Sequence, residues 1–170
     1  MRIAVIDSSA LINLVHLDLA AKLSLFFDVV LVPSTVQREV RKKGRFGRRL
    51  NKLYAVGPFE RCRAADRTNI ALLRIEKLDE GEAEALTQAQ EKQAKVEASL
   101  YLIVDEKLAR EKCATVGMKV VGTVRLLARM YRQGDAEEPE ALVRRLRRER
   151  RFHVSDQIVR EAIAMAPEPI

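Results

Sequence analysis

The stretch Arg2-Ile3-Ala4-Val5-Ile6-Asp7-Ser8-Ser9-Ala10-Leu11-Ile12 carries the fold in outline. Ile3 to Ile6 are a short, partly β-branched apolar run, the pattern of a strand buried on both faces in a parallel sheet. Ser8 and Ser9 follow as capping residues for a helix that carries Leu11, Ile12, Leu14 and Val15. Asp7 stands between the two elements. A charge that closes a buried strand needs a reason, and two are open. It caps the next helix, or it faces the sheet edge at which open α/β folds bind ligands.

The same alternation continues downstream. Phe26 to Val32 predicts a second strand, and Pro33-Ser34-Thr35 opens a helix through Val36, Glu39 and Val40. Arg41 to Asn51 is strongly basic with Gly44 and Gly47 inside it, which predicts a mobile loop or frayed helix. Gly57-Pro58 is a break, and Ala71 to Leu78 reads as a short strand or extended segment. Asp79-Glu80-Gly81 then starts a helix from Glu82 to Ala94. Leu100 to Val104 is the clearest strand, and it too ends in acids, Asp105 and Glu106. A helix from Lys107, a short strand at Met118 to Val121 and a helix from Thr123 to Tyr131 complete the alternation. A charged helix after Pro139 and a short amphipathic helix from Gln157 to Met165 follow. The expected class is α/β with a central parallel sheet and right-handed crossovers. The expected plan is a main domain over 1–134 and a basic helical extension over 135–170 packed on it.

Composition narrows the function classes. The chain has 170 residues, no Trp and seven glycines, which suits helices on a sheet better than an all-β sandwich. Lys and Arg number 31 against 24 Asp and Glu, a formal charge of +7 that favours polyanionic partners. Cys62 and Cys113 show no CxxC spacing, and His16 and His153 form no cluster, so zinc and a disulfide framework are both disfavoured. Neither a signal-peptide core nor a run approaching a membrane span is visible, so the expectation is a cytoplasmic protein with no membrane partner.

Parallel topology would bring Asp7 and Asp105 to one sheet edge. Glu39 lies one helix after the second strand, and Glu82 or Glu84 opens the helix before the Asp105 strand. Acids gathered without a histidine repel one another, and their natural partner is a hard divalent cation, Mg²⁺ or Mn²⁺. Such a centre can hydrolyse a phosphodiester.

These residues also carry a family resemblance. Val5-Ile6-Asp7-Ser8-Ser9-Ala10-Leu11-Ile12, Val32-Pro33 to Val36 with Glu39-Val40, Gly81-Glu82-Ala83-Glu84-Ala85-Leu86 and Leu102-Ile103-Val104-Asp105-Glu106 resemble, in order and spacing, the PIN-domain proteins. More narrowly the chain resembles their PilT-like branch, in which Val121-Gly122-Thr123 and a terminal Val-Ser-Asp helix recur. The resemblance implies a three-layer α/β/α sandwich and a metal-dependent nuclease that cuts RNA, in many members as the toxin of a toxin–antitoxin pair. It implies that Asp7, Glu39 and Asp105 are metal-binding catalytic acids, with Glu106 and Thr123 as supporting residues and Ser9 orienting Asp7. It also implies an antitoxin partner and a homodimer.

The fourth acid is open between Glu82 and Glu84. Glu82 shares a helix face with Ala85, Leu86 and Ala89, whereas Glu84 stacks with Thr87, Gln88 and Glu91, and that geometry favours Glu82. Glu84 is then a second ligand or a charge favourable to a helix amino terminus. Arg41, Lys42, Lys43, Arg45, Arg48 and Arg49 follow Glu39 directly and are the expected RNA contacts. The arginines from Arg144 to Arg151 are a weaker candidate, interleaved with Leu142, Val143 and Leu146. Two rivals stand beside the nuclease: a PIN-like module that binds RNA or a protein without cutting, and a receiver-type switch phosphorylated on Asp7. The second lacks the late-strand lysine that its chemistry expects.

Overall fold

The structure, a computed structural model, describes residues 1–62, 67–94 and 98–167. Strands β1 (Arg2–Ile6), β2 (Val29–Val32), β3 (Phe59–Arg61), β4 (Ser99–Ile103) and β5 (Lys119–Val121) form one sheet in the order β3-β2-β1-β4-β5. β1 pairs in parallel with β2 and β4, with Val5 opposite Leu31 on one side and Leu102 on the other, and β2 pairs in parallel with β3. The chain therefore builds leftward from β1 to β3 and then returns to the other side of β1 for β4. That reversal creates a switch point between β1 and β4, where two neighbouring strand ends open a crevice.

Alternate strand residues feed two layers, giving the α/β/α sandwich expected. Ile3, Val5, Leu31, Leu100 and Leu102 share a core with Ala83, Ala85, Leu86 and Ala89 of helix α5 (Glu80–Gln93) and with Ala109 and Cys113 of helix α6 (Lys107–Thr115). The intervening residues, among them Ala4, Ile6, Val30 and Tyr101, point to the opposite face, where the Phe27 ring lies 5.5 Å from Tyr101. Helix α1 (Ser8–His16) connects β1 to β2, so the right-handed crossover rule puts it on the layer opposite α5 and α6.

Three local expectations need correction, and one strand was not expected. The second strand starts at Val29, because Phe26 and Phe27 close a 3-10 helix over 20–25 and both rings are buried. Of the loop and the frayed helix expected for the basic segment, the structure has helix in two pieces: after helix α2 (Ser34–Lys42), a tight elbow at Gly44 (φ +58°) leads into helix α3 (Arg45–Val56). Phe46, Leu50 and Leu53 recur at i, i+4 and i+7 there and are all buried, a helical period that the surrounding charges obscure. The extended segment expected over 71–78 is instead helix α4 (Arg67–Ile75), with Ile70 and Leu73 against the α5 side of the core. β3 was not foreseen, since it is three residues long and buries only Phe59.

Residues 1–120 form one compact unit and 121–170 another. The second contains helices α7 (Thr123–Arg132), α8 (Pro139–Arg150) and α9 (Asp156–Ala164). α8 ends at Arg151 in the left-handed region (φ +54°), and Arg147 ties the following turn by donating to Val154 O at 2.6 Å and to Asp156 at 2.7 Å. Ser155 then caps α9 by accepting from the Ile158 N–H. Among the described residues no helix is long and apolar enough to cross a membrane.

Candidate functional site

Asp7 satisfies both reasons that the sequence left open. Its Oδ1 accepts the Ala10 N–H at 2.8 Å and so caps α1, while its own N–H donates to Ile103 O on β4 at 3.1 Å. The residue is 1 % exposed and sits at the β1 side of the switch point. Asp105 follows β4 on the other side, half-buried, two residues beyond the strand. Burial holds the Asp7 carboxyl well above the usual carboxylate range, and the charge of Asp105 pushes it further in the same direction. The Ala10 N–H opposes that shift, and Glu82 and Asp79 add to it.

Glu39, on α2, reaches this group through a glycine. A Cβ on Gly81 would stand 3.3 Å from Glu39 Oε2, 3.4 Å from Ser8 Oγ and 3.5 Å from Asp79 Oδ1, so these three oxygens surround Gly81 at the start of α5 and its bare backbone leaves them slightly more room. Asp79 and Glu82 form a reciprocal capping box there: Asp79 Oδ1 accepts the Glu82 N–H at 2.8 Å and Glu82 Oε2 accepts the Asp79 N–H at 3.1 Å. Burial pushes the Glu82 carboxyl up to about 7 against that hydrogen bond, and the charges of Asp79, Glu106 and Glu39 contribute in the same direction. Asp79 was read from sequence only as a helix start. The Asp-x-x-Glu spacing was the available signal, and it marked a cap rather than a member of the acid group.

The fourth-acid question changes form. α5 is buried all round from Gly81 to Ala89, so having one buried face does not separate Glu82 from Glu84. Their neighbours do. Glu82, 7 % exposed, feels the acids at the switch point, whereas Glu84, 2 % exposed, turns to α2. There its Oε1 accepts the Ser34 hydroxyl at 2.6 Å and its Oε2 accepts the Thr35 N–H at 2.5 Å.

Asp7, Glu39, Asp79, Glu82, Asp105 and Glu106 thus make an all-oxygen group joined by mutual repulsion. Burial pushes the Cys62 thiol up to about 12 and the Cys113 thiol up to about 11, which keeps both from serving as thiolates. Oxygen donors of this kind suit a divalent cation. Among the described residues no three acids stand in an arrangement that could already hold an ion. Burial is the largest cause of the raised values of Asp7 and Glu82, and the neighbouring acids add to it.

Of the supporting residues expected, Glu106 joins the acids through its charge on Glu82. Ser9 is exposed on α1, and it is Ser8 Oγ that lies beside Gly81. Glu106 is exposed and immediately precedes α6. Thr123 is buried at the start of α7, in the second unit. Arg41, Lys42 and Lys43 are exposed at the end of α2, as is Arg48 on α3, and the Arg45 side chain lies outside the described residues. Arg49 is engaged within the protein: its Nη1 donates to Val15 O at 2.9 Å and lies 3.0 Å from the Asp18 carboxylate, gripping the end of α1.

A family model described as a PIN domain matches residues 3–168, which takes in both compact units and every acid of the group. No curated protein matches the chain.

Proposed function

The chain belongs to the PIN-domain family, and from that premise we propose that it is a Mg²⁺- or Mn²⁺-dependent endoribonuclease whose centre is Asp7, Glu39, Glu82 and Asp105. The observation that carries this reading is a carboxylate, Asp7, buried at the β1/β4 switch point and pressed by further acids on neighbouring elements. When bound, an ion there supplies Lewis acidity, activating a water and offsetting charge on the phosphodiester. Asp7 contributes a carboxylate fixed in direction by the Ala10 N–H. Glu82 contributes one whose proton is exchangeable near neutral pH. Glu39 Oε2 stands beside Gly81, and the four acids come from four places in the chain: the end of β1, α2, α5 and the segment after β4. We further propose a cytoplasmic toxin of a toxin–antitoxin pair, neutralised by an antitoxin and acting as a homodimer.

A second reading, a PIN-like module that binds RNA or a partner protein without cutting, is favoured by the exposed cations Arg41, Lys42, Lys43 and Arg48, which can hold a polyanion whether or not it is cut. Cleavage of single-stranded RNA separates the two. The nuclease reading expects cutting with Mn²⁺ or Mg²⁺ and none after chelation; RNA binding without cutting under every metal condition would select the second reading.

The RNA contact assigned to Arg41, Lys42, Lys43 and Arg48 has its own test in the salt dependence of binding. Each phosphate contact removed should lower the log–log salt slope by roughly 0.7 for a single strand. Arg49→Ala should behave otherwise, lowering thermal stability and leaving the slope unchanged, because its guanidinium already holds Val15 O and Asp18. Full retention of the slope in the fourfold variant would return that face to solvent.

A further inference from the structure

Glu84 is the acid that the metal assignment leaves without a task. It is as deeply buried as Asp7, but both of its oxygens are occupied from α2 by the Ser34 hydroxyl and the Thr35 N–H. Those two residues open a helix whose N-cap is Pro33, a residue with no side-chain acceptor to offer the first turn. Glu84 supplies the missing cap from a different helix, and its charge is of the sign that a helix amino terminus favours. One turn earlier on α5, Glu80 pairs with Arg38 at 3.0 Å, and Arg38 in turn donates to Thr35 Oγ1 at 2.9 Å. The same edge of α5 therefore holds α2 at its first residues and again at Arg38, next to Glu39. Between these two fastenings lies Gly81, beside which the Glu39 carboxylate stands together with Ser8 Oγ and Asp79 Oδ1.

We propose that Glu84 is a positioning residue: its carboxylate clamps the amino terminus of α2 and so places Glu39 among the acids, and it is not a metal ligand. The inference rests on the reading of that acid group as a metal centre. It divides the Glu-Ala-Glu of residues 82 to 84 into two tasks. Glu82 faces the crevice, and Glu84 faces the helix that delivers the acid opposite.

Mn²⁺ affinity in a double-mutant cycle between Glu84 and Glu39 tests the division, with amide exchange of α2 in the metal-free protein as the second readout. Glu84→Gln should weaken Mn²⁺ binding by about tenfold, the size expected when a residue that orients a ligand is lost. Ser34→Ala, which removes one arm of the clamp, should weaken it in the same direction. In a Glu39→Gln background Glu84→Gln should have no further effect, because the acid that it positions is gone. Exchange at Thr35 and Val36 should accelerate in Glu84→Gln and Ser34→Ala alike. A further tenfold loss in the Glu39→Gln background would make Glu84 a ligand and overturn the proposal, as would unchanged Mn²⁺ affinity in Glu84→Gln. A wild-type protein that bound no Mn²⁺ would defeat the metal-centre reading instead; the clamp would then stand or fall on α2 exchange, and unchanged exchange in Glu84→Gln would overturn it.

Discussion

Asp7→Asn is expected to lower metal-dependent RNA cleavage by roughly 10²- to 10³-fold or more, the scale on which removing one charge-stabilising group from an active site acts, without loss of the fold. The two halves of that expectation have separate origins. Asparagine keeps an oxygen at the place of Oδ1, so the Ala10 N–H retains its acceptor and α1 its cap. What disappears is a negative charge that burial and the neighbouring Asp105 already make unfavourable in the metal-free protein. The apo variant should therefore be at least as stable as wild type, and only the cation should miss the carboxylate. Rates with Mn²⁺ and thermal unfolding with and without it measure both halves. A folded variant that cleaves at the wild-type rate would remove Asp7 from the mechanism. A variant that is inactive because it unfolds would make Asp7 a structural cap.

How much of this was legible in the sequence follows from the range of the interactions involved. Ile3 to Ile6 and Leu100 to Val104 are recognisable as strands because both faces of each are buried, leaving continuous apolar runs with acids at their ends. Their adjacency follows from the alternation of elements. β3 was illegible because a three-residue edge strand buries one side chain, Phe59, and leaves no period to read. The basic segment misled for a different reason. Its helical stripe of Phe46, Leu50 and Leu53 is sparse among arginines and lysines, and Gly44 marks only the elbow before the helix, not a loop through it.

At the site, chain order points to Asp7 and Asp105 on one sheet edge and the family resemblance adds Glu39, but the environment of each side chain cannot be read from order. Which of Glu82 and Glu84 faces the crevice depends on what packs on each side of α5. Both sides are covered, one by the acids and one by α2, so a helical wheel could not decide. Asp79 illustrates the same limit: a local pattern identified its cap, while its proximity to Asp7 and Glu39 comes from elements some forty and seventy residues away in the chain.

Glu82→Gln and Glu84→Gln, two residues apart on one helix, should shift stability in opposite directions at pH 8. The Glu82 carboxyl is raised from its ordinary value to about 7, so its neutral form is favoured in the folded state. Its stabilising contribution is full below the unfolded value near 4.5 and is lost as pH rises through about 7. The metal-free wild type should accordingly lose stability between pH 5 and pH 8, on the order of 2 kcal/mol from this group once solvent screening is allowed for. Glutamine is neutral at every pH and its oxygen can still accept the Asp79 N–H, so Glu82→Gln should flatten that decline and be the more stable protein at pH 8 while binding Mn²⁺ far more weakly. Glu84→Gln should do the reverse. Glutamine can keep an oxygen on the Thr35 N–H and turn its NH₂ to the Ser34 hydroxyl, which also accepts, but it removes the negative charge that favours the α2 amino terminus, at a cost of about 1 kcal/mol. Thermal unfolding of the two variants from pH 5 to pH 8, with and without Mn²⁺, reads both effects. Stabilisation by Glu84→Gln at pH 8, or an undiminished pH dependence in Glu82→Gln, would mean that the repulsive and the clamping acid had been exchanged.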